Sequence, residues 1–393
     1  MKKRPLFKEA FQTDREKEWK GMPEYSHEDK MGCKSLVMHF ETQDDVDAFS
    51  ALLDQKIRHT TKSLWHPKIK IEHAVDKHYV NTSDKRINPR YPLFVVSKGR
   101  ADSRLTSKAL DRMKVPYRLV IEEQEYSQYK KVVNKSKLII LDKKYQDEYD
   151  TFDDLGDTKS KGPGAARNFA WDVAISEGYK WHWVMDDNIL KFCRYNKNLL
   201  VQADDGTIFR CMEDFCKRYK NVAMAGPQYY MFINRKTQYP PFVQNTRIYS
   251  CNLIRNDVPF RWRGRYNEDT DLSIRMMKGD WCTIQFNAFI QDKMTTQKYK
   301  GGNTEEFYAH EGTRPKSQML KDMHPEITEV TERFGRIHHY VYYDCFKKVK
   351  LKRKKKFKLL EEVTDNYGME LLKRDEVKVN KKRKKGKSNV KSK

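Results

Sequence analysis

The chain has 393 residues, enough for one large domain with smaller pieces attached, and only 38% of them are hydrophobic. A formal net charge of +24, of which Lys347–Lys393 supplies +14 through 20 basic against 6 acidic residues, favours a polyanionic partner, nucleic acid first. No run approaches the ~20 apolar residues of a membrane span. The seven cysteines show no Cys-x-x-Cys spacing, and no apolar leader precedes them; together these features argue for a cytosolic protein with reduced thiols and against a secreted or membrane-embedded one.

In chain order, residues 1–80 read as a small α/β unit. Ser35–Phe40 is an expected strand, and Thr42 N-caps a helix whose first turn holds Asp44 and Asp45. Val46, Phe49, Leu52 and Leu53 then fall on one helical face. Leu93–Val96 starts a regular alternation. The strand leads through the polar turn Ser97-Lys-Gly-Arg100 into a helix over Leu105–Lys114, then a strand over Tyr117–Glu122, a helix around Glu125–Val132 and a strand at Lys137–Leu141. Such alternation implies βαβ units and a mostly parallel sheet. Backbone N–H groups at a strand-to-helix turn favour bound phosphate. The pattern is neither a Walker loop nor Gly-x-Gly-x-x-Gly, so ATP and dinucleotides are not the first choice.

Asp142–Lys161 reads as a polar loop, either a lid or ordinary surface. Lys161-Gly-Pro-Gly-Ala-Ala-Arg-Asn168 is a glycine turn feeding a helix to about Glu177, and the next strand stops at Asp186 and Asp187. Carboxylates at the C-terminal end of a strand lie where open α/β sheets present ligands, and two adjacent acids call for a cation or hydrogen-bond donors. Residues 227–266 interleave arginine with aromatics, including Tyr230 and Trp262-Arg263-Gly-Arg265, which suits a polynucleotide. Glu268, Asp269 and Asp271 crowd the start of a further helix. They fit a metal site with a general base, or simply a helix dipole.

In this order the motifs resemble the GT-A group of nucleotide-sugar glycosyltransferases. Gly162 and Gly164 with Ala166-Arg167-Asn168 come first, then Asp186-Asp187-Asn188, then Glu268-Asp269-x-Asp271-Leu272 with Arg275 one turn on. The resemblance covers roughly residues 90 to 315. It implies an α/β, GT-A-type domain over 90–345 with a mostly parallel central sheet, between the small N-terminal unit and a basic, partly disordered tail over 346–393. It also implies nucleotide-sugar contacts from Ser97, Arg100, Gly164, Arg167, Asp186 and Asp187, and Mn²⁺ or Mg²⁺ held by Asp187 and His310. Which of Asp186, Asp187 and Asn188 binds the metal stays open at this point. Asp269 would be the base of an inverting reaction, assisted by Glu268 and Asp271, whereas a retaining reaction needs none.

A basic, leaderless chain of this kind resembles the TET/JBP-associated glycosyltransferases of bacteriophages. That resemblance implies transfer from a UDP-sugar to 5-hydroxymethylcytosine or a related base in phage DNA, in the cytoplasm of an infected bacterium. Trp262, Arg263, Arg265 and Tyr230 would then contact the DNA. The alternatives are a cytosolic glycosyltransferase for a small-molecule or protein acceptor, and a non-catalytic DNA-binding protein on the same scaffold.

Overall fold

A computed structural model of the chain describes residues 15–68, 74–83, 87–155, 160–294, 314–333, 335–355, 357 and 364–377. After the helix α1 (Gln43–Leu52) and strand β1 (Lys77–Asn81), the expected alternation follows: β2 (Leu93–Val96), α2 (Leu105–Met113), β3 (Arg118–Ile121) and β4 (Leu138–Ile140). Next come α3 (Gly164–Ser176), β5 (Trp181–Asp186), β6 (Ile189–Asn196), β7 (Leu199–Ala203), α4 (Thr207–Lys217) and β8 (Val222–Tyr229). The chain continues with β9 (Phe242–Gln244), β10 (Cys251–Arg255), α5 (Glu268–Lys278), β11 (Cys282–Lys293) and α6 (Arg314–Met323), then β12 (Thr328–Arg333), β13 (Arg336–Val341) and β14 (Met369–Lys373).

All strands except the β12–β13 hairpin join one twelve-stranded sheet in the order β14-β1-β7-β6-β11-β8-β10-β5-β2-β3-β4, with β9 beside β11. Pairing is parallel throughout β5-β2-β3-β4, as the alternation of strands and helices requires. Beyond β5 the strand β10 runs antiparallel, and β8 and β11 are again parallel to each other. Both faces are covered, so β5 and β8 read as continuous apolar runs rather than alternating ones. One face carries Leu93, Val95, Trp183 and Met185 against α2 and α4; on the other, Phe94 and Val184 pack with Trp171 of α3 and Leu272 of α5.

The ends of the chain differ from expectation. Ser35–Phe40 forms no strand, and Leu36 and Val37 are 75% and 82% exposed; no strand edge among the described residues pairs with it. The Thr42–Asp45 capping box is present on α1, but the helix buries none of its residues. Residues further upstream belong to the main body. Trp19 and Met22 sit in the principal core, and Ser26 N donates to Asn196 Oδ1 at 2.9 Å. The basic C-terminal stretch is also partly built in, since β14 pairs antiparallel with β1 over Met369–Lys373. Arg194 ties both ends together by donating to Glu24 O at 2.6 Å and Asn366 Oδ1 at 3.2 Å. Among the described residues no helix is long and apolar enough to cross a membrane.

Candidate active site

Strand alternation decides where the two adjacent aspartates go. His182, Val184 and Asp186 share the α3 face of the sheet, so Asp186 emerges under α3, while Asp187, in the turn that follows, faces the other way. Asp187 is buried, accepting from Ser97 Oγ at 2.7 Å and pairing with the Arg100 guanidinium. Ser97 Oγ also meets the Tyr129 hydroxyl at 2.7 Å. Ser97, Arg100 and Asp187 therefore form a network that braces the turn at the wall of the site. Burial raises the Asp187 carboxyl, and Arg100 opposes the shift without cancelling it.

On the α3 face, one arginine gathers three acids. Arg167 is 1% exposed. Its Nη2 donates to Asp186 Oδ1 at 2.6 Å, and its Nη1 donates to Asp269 Oδ1 at 2.8 Å and Glu268 Oε1 at 3.0 Å. The guanidinium lies 4.6 Å from the ring centre of Trp262, whose backbone is held by a reciprocal pair of 2.9 Å bonds with the Asn168 amide. Ala166-Arg167-Asn168 thus works as a unit: the arginine holds the acids and the asparagine holds the indole that supports the arginine. Arg167, expected at the donor diphosphate or in a sheet-edge contact, lines the site cavity with its charge shared among these carboxylates.

The helix feeding Arg167 needs its glycines. Gly162 has φ of +79° and lines the cavity, whereas a Cβ on Gly164 would stand 1.8 Å from the Tyr149 hydroxyl. Gly164 is therefore a close-packing position beneath the site and does not line it.

The acids differ in ionisation. For Asp186, burial raises the carboxyl, but Arg167 and Lys293 outweigh it and leave it below its ordinary value; Lys293 Nζ stands 3.8 Å from Asp186 Oδ2. For Asp269, burial dominates, Glu268 and Asp186 add to the rise, and Arg167 only partly opposes it, so this carboxyl is pushed up to about 7. Asp269 Oδ2 receives a 3.2 Å bond from Ser250 N. A carboxylate whose affinity for a proton is matched to neutral pH is a good general base.

These groups line a cavity of about 370 Å³ at one rim of the sheet, together with Ser97, Arg100, Asp187 and Asn188. Asn188 donates through Nδ2 to Met294 O at 3.1 Å, and its buried Oδ1 has no hydrogen-bond partner among the described residues. That free acceptor two positions after Asp186 is what a cation site would use. Among the described residues no group of three His, Cys, Asp or Glu side chains forms a metal cage, and His310 lies outside them.

Several expected site residues serve the fold instead. Asp271 is fully buried, does not line the cavity, and binds Arg275 at 2.7 Å, His324 at 3.0 Å and Arg263 at 3.2 Å. Burial would raise its carboxyl, but His324 and Arg275 overcome this and hold it at about 2. Trp262 is 2% exposed. Arg265 is bidentate to Asp153 at 2.7 and 2.8 Å, and its Nη1 donates to Ser160 O at 2.6 Å. The Trp262–Arg265 stretch is thus mostly enclosed and ties the loop at Asp150–Asp153 and Ser160 to the body, although Arg265 also lines the cavity. Tyr230 is 37% exposed, on a turn whose Phe232 lines the cavity. Lys293, Arg247, Lys316 and His339 also line the cavity. No motif in the sequence marks any of them.

The TET-Associated Glycosyltransferase family matches residues 91–302, just over half of the chain. The chain belongs to this family. The matched stretch of this glycosyltransferase holds the Arg167 hub with all three of its acids, and it ends shortly after Lys293. No curated protein matches the chain.

Proposed function

We propose that this glycosyltransferase has a GT-A-type fold and moves a sugar from a UDP-sugar to the hydroxymethyl group of 5-hydroxymethylcytosine in phage DNA. The observation that carries the reading is the placement of Asp269, a half-buried carboxylate on the cavity wall that Arg167 holds beside Asp186 and Glu268. In this reading Asp269 takes the proton of the acceptor hydroxyl. The oxygen attacks the anomeric carbon, the bond from that carbon to the diphosphate breaks, and the configuration inverts. Glu268 raises the proton affinity of the base, and Arg167 fixes its orientation.

Asp186 and the free Oδ1 of Asn188 suit a hard divalent cation, Mn²⁺ or Mg²⁺. Asp187 suits it less: it is 4% exposed and held by Ser97 and Arg100, whereas the Asp186 side chain, although it meets Arg167 and Lys293, stays 24% exposed. A bound cation supplies charge neutralisation for the departing diphosphate. The net charge of +24 supports a nucleic-acid acceptor over a neutral small molecule. The test is incubation with a panel of nucleotide-sugars, Mn²⁺ and either hydroxymethylated or unmodified DNA, followed by nucleoside mass spectrometry. Sugar appearing on hydroxymethylcytosine alone is the expected result; transfer to neither DNA overturns the acceptor assignment.

A further inference from the structure

The rim of the sheet divides the cavity in two. The C-terminal ends of β4, β3 and β2 form one half, the start of β10 and the ends of β8 and β11 form the other, and Asp186 on β5 stands between them. The β2–β4 half contains the strand-to-helix turn suited to a nucleotide. The β10–β8–β11 half has a different character. Immediately after β8, the turn Tyr230–Phe232 leaves Tyr230, Met231 and Phe232 exposed by 37%, 67% and 52%. Three consecutive large exposed side chains, the last of which, Phe232, lines the cavity, are an interaction surface rather than singly scattered residues.

Positive charge surrounds this ledge. The Arg247 guanidinium lies 5.2 Å from the ring centre of Tyr249 and 6.0 Å from that of Phe232. His339 lines the same part of the cavity, and burial together with the nearby Lys316 and Arg247 charges pushes its imidazole down to about 3. A neutral imidazole beside two cations is a setting that an anion would relieve. Aromatic faces for a base, cations for a phosphate and an exposed apolar wedge together match a nucleotide taken out of a duplex.

We propose that the Tyr230–Phe232 turn is a wedge that enters the duplex, with Met231 filling the space left by the acceptor, Phe232 and Tyr249 lining its base, and Arg247 and His339 holding its phosphate. This rests on the DNA-acceptor reading above and deepens it: the acceptor arrives from the β8–β11 side, with Asp186 and Asp269 between it and the donor.

The experiment measures fluorescence anisotropy with two labelled duplexes, each carrying one hydroxymethylcytosine, paired with guanine in one and opposite an abasic site in the other. The full chain should bind the second about tenfold more tightly, because unpairing is already done. The Met231→Ala/Phe232→Ala variant, altered only at exposed positions and expected to melt like the parent, should bind the abasic-site duplex about tenfold more weakly through lost stacking. Met231→Leu should restore most of this in the presence of Phe232. Arg247→Ala should weaken both complexes and reduce the salt slope by about one. Unchanged affinity of the double variant for both duplexes overturns the wedge, including the case where the ledge docks a protein instead. Sugar transfer is scored separately on the same duplexes. Normal transfer by the double variant sinks the wedge and leaves the acceptor reading intact; wedge-dependent binding without transfer by the parent protein keeps the nucleotide subsite and sinks the acceptor reading.

Discussion

Arg167 and Asp269, 102 residues apart in the chain, meet at 2.8 Å in a site where the arginine is almost wholly buried. The same guanidinium also holds Asp186 and Glu268, so one cation fixes the relative positions of a strand end and a helix start. Its removal leaves three carboxylates crowded together without their donor. Arg167→Ala should cost about 3–5 kcal/mol of stability, the range for breaking a buried ion pair by deleting one partner. Arg167→Lys should keep the charge, lose the fork and recover only part of that. Denaturant unfolding measures both; an Arg167→Ala midpoint equal to the parent's would show that the hub does not stabilise the fold.

Asp269 as the proposed general base implies a pH dependence. Asp269 must be ionised to accept a proton, and burial with Glu268 and Asp186 places its ionisation near 7. Turnover should therefore fall as pH drops below about 7, approaching tenfold per unit. Glu268→Gln removes a negative neighbour that raises Asp269, so the acid limb should move to lower pH. Asp269→Asn should lower turnover by roughly 10²- to 10⁴-fold while nucleotide-sugar affinity stays close to the parent's. A limb that stays in place in Glu268→Gln would mean that another group titrates.

The two aspartates should separate by phenotype. Asp186→Asn and Asn188→Ala should each weaken Mn²⁺ binding by at least about tenfold, read by electron paramagnetic resonance with UDP present and by the Mn²⁺ dependence of transfer. Asp187→Asn instead disturbs the Ser97–Arg100 network and should lower the melting temperature more than the Mn²⁺ affinity. The reverse pattern would return the metal to Asp187.

Asp271 should govern acid stability. Its carboxyl is held at about 2 against an ordinary 3.8, so it is depressed on folding. Its contribution, about 2 kcal/mol by linkage, is fully present above pH 4 and is lost as pH falls toward 2. Asp271→Asn should be less stable at neutral pH, because Arg263, Arg275 and His324 lose their common acceptor, and its stability should vary less between pH 4 and pH 2. Parallel stability curves for the two proteins across that window would contradict the assignment.

Residues 378–393 contain nine Lys or Arg and no acid, and they follow Val377, which is buried. Deleting them should spare the β14–β1 pairing and the affinity for nucleotide-sugar. DNA binding should weaken and its salt dependence flatten, by about 0.9 in slope for each phosphate that is no longer neutralised. Identical affinity at every salt concentration would move the whole grip to the cavity rim.

Local physics was enough to read much of this protein from its sequence. The apolar runs of β2, β3 and β5, the glycine turn into α3 and the acid-rich start of α5 are signals carried within a dozen residues, because strand burial, backbone freedom and the helix dipole act at that range. The family likeness rests on the same short motifs. What the sequence leaves open is set by interactions across 19 to 170 residues. Two adjacent aspartates look equivalent until the strand's alternation sends Asp186 toward Arg167 and Asp187 toward Arg100. Asp271, two positions from Asp269, turns inward with the helix and meets His324, whereas Asp269 faces the cavity. Trp262 and Arg265 have the composition of a nucleic-acid contact, yet packing against Arg167 and Asp153 consumes them. Lys293, Arg247 and His339 converge only because the end of β11, the segment before β10 and the separate β12–β13 hairpin meet at one cavity. Side-chain chemistry is local, but which face it serves depends on the neighbours that the fold brings to it.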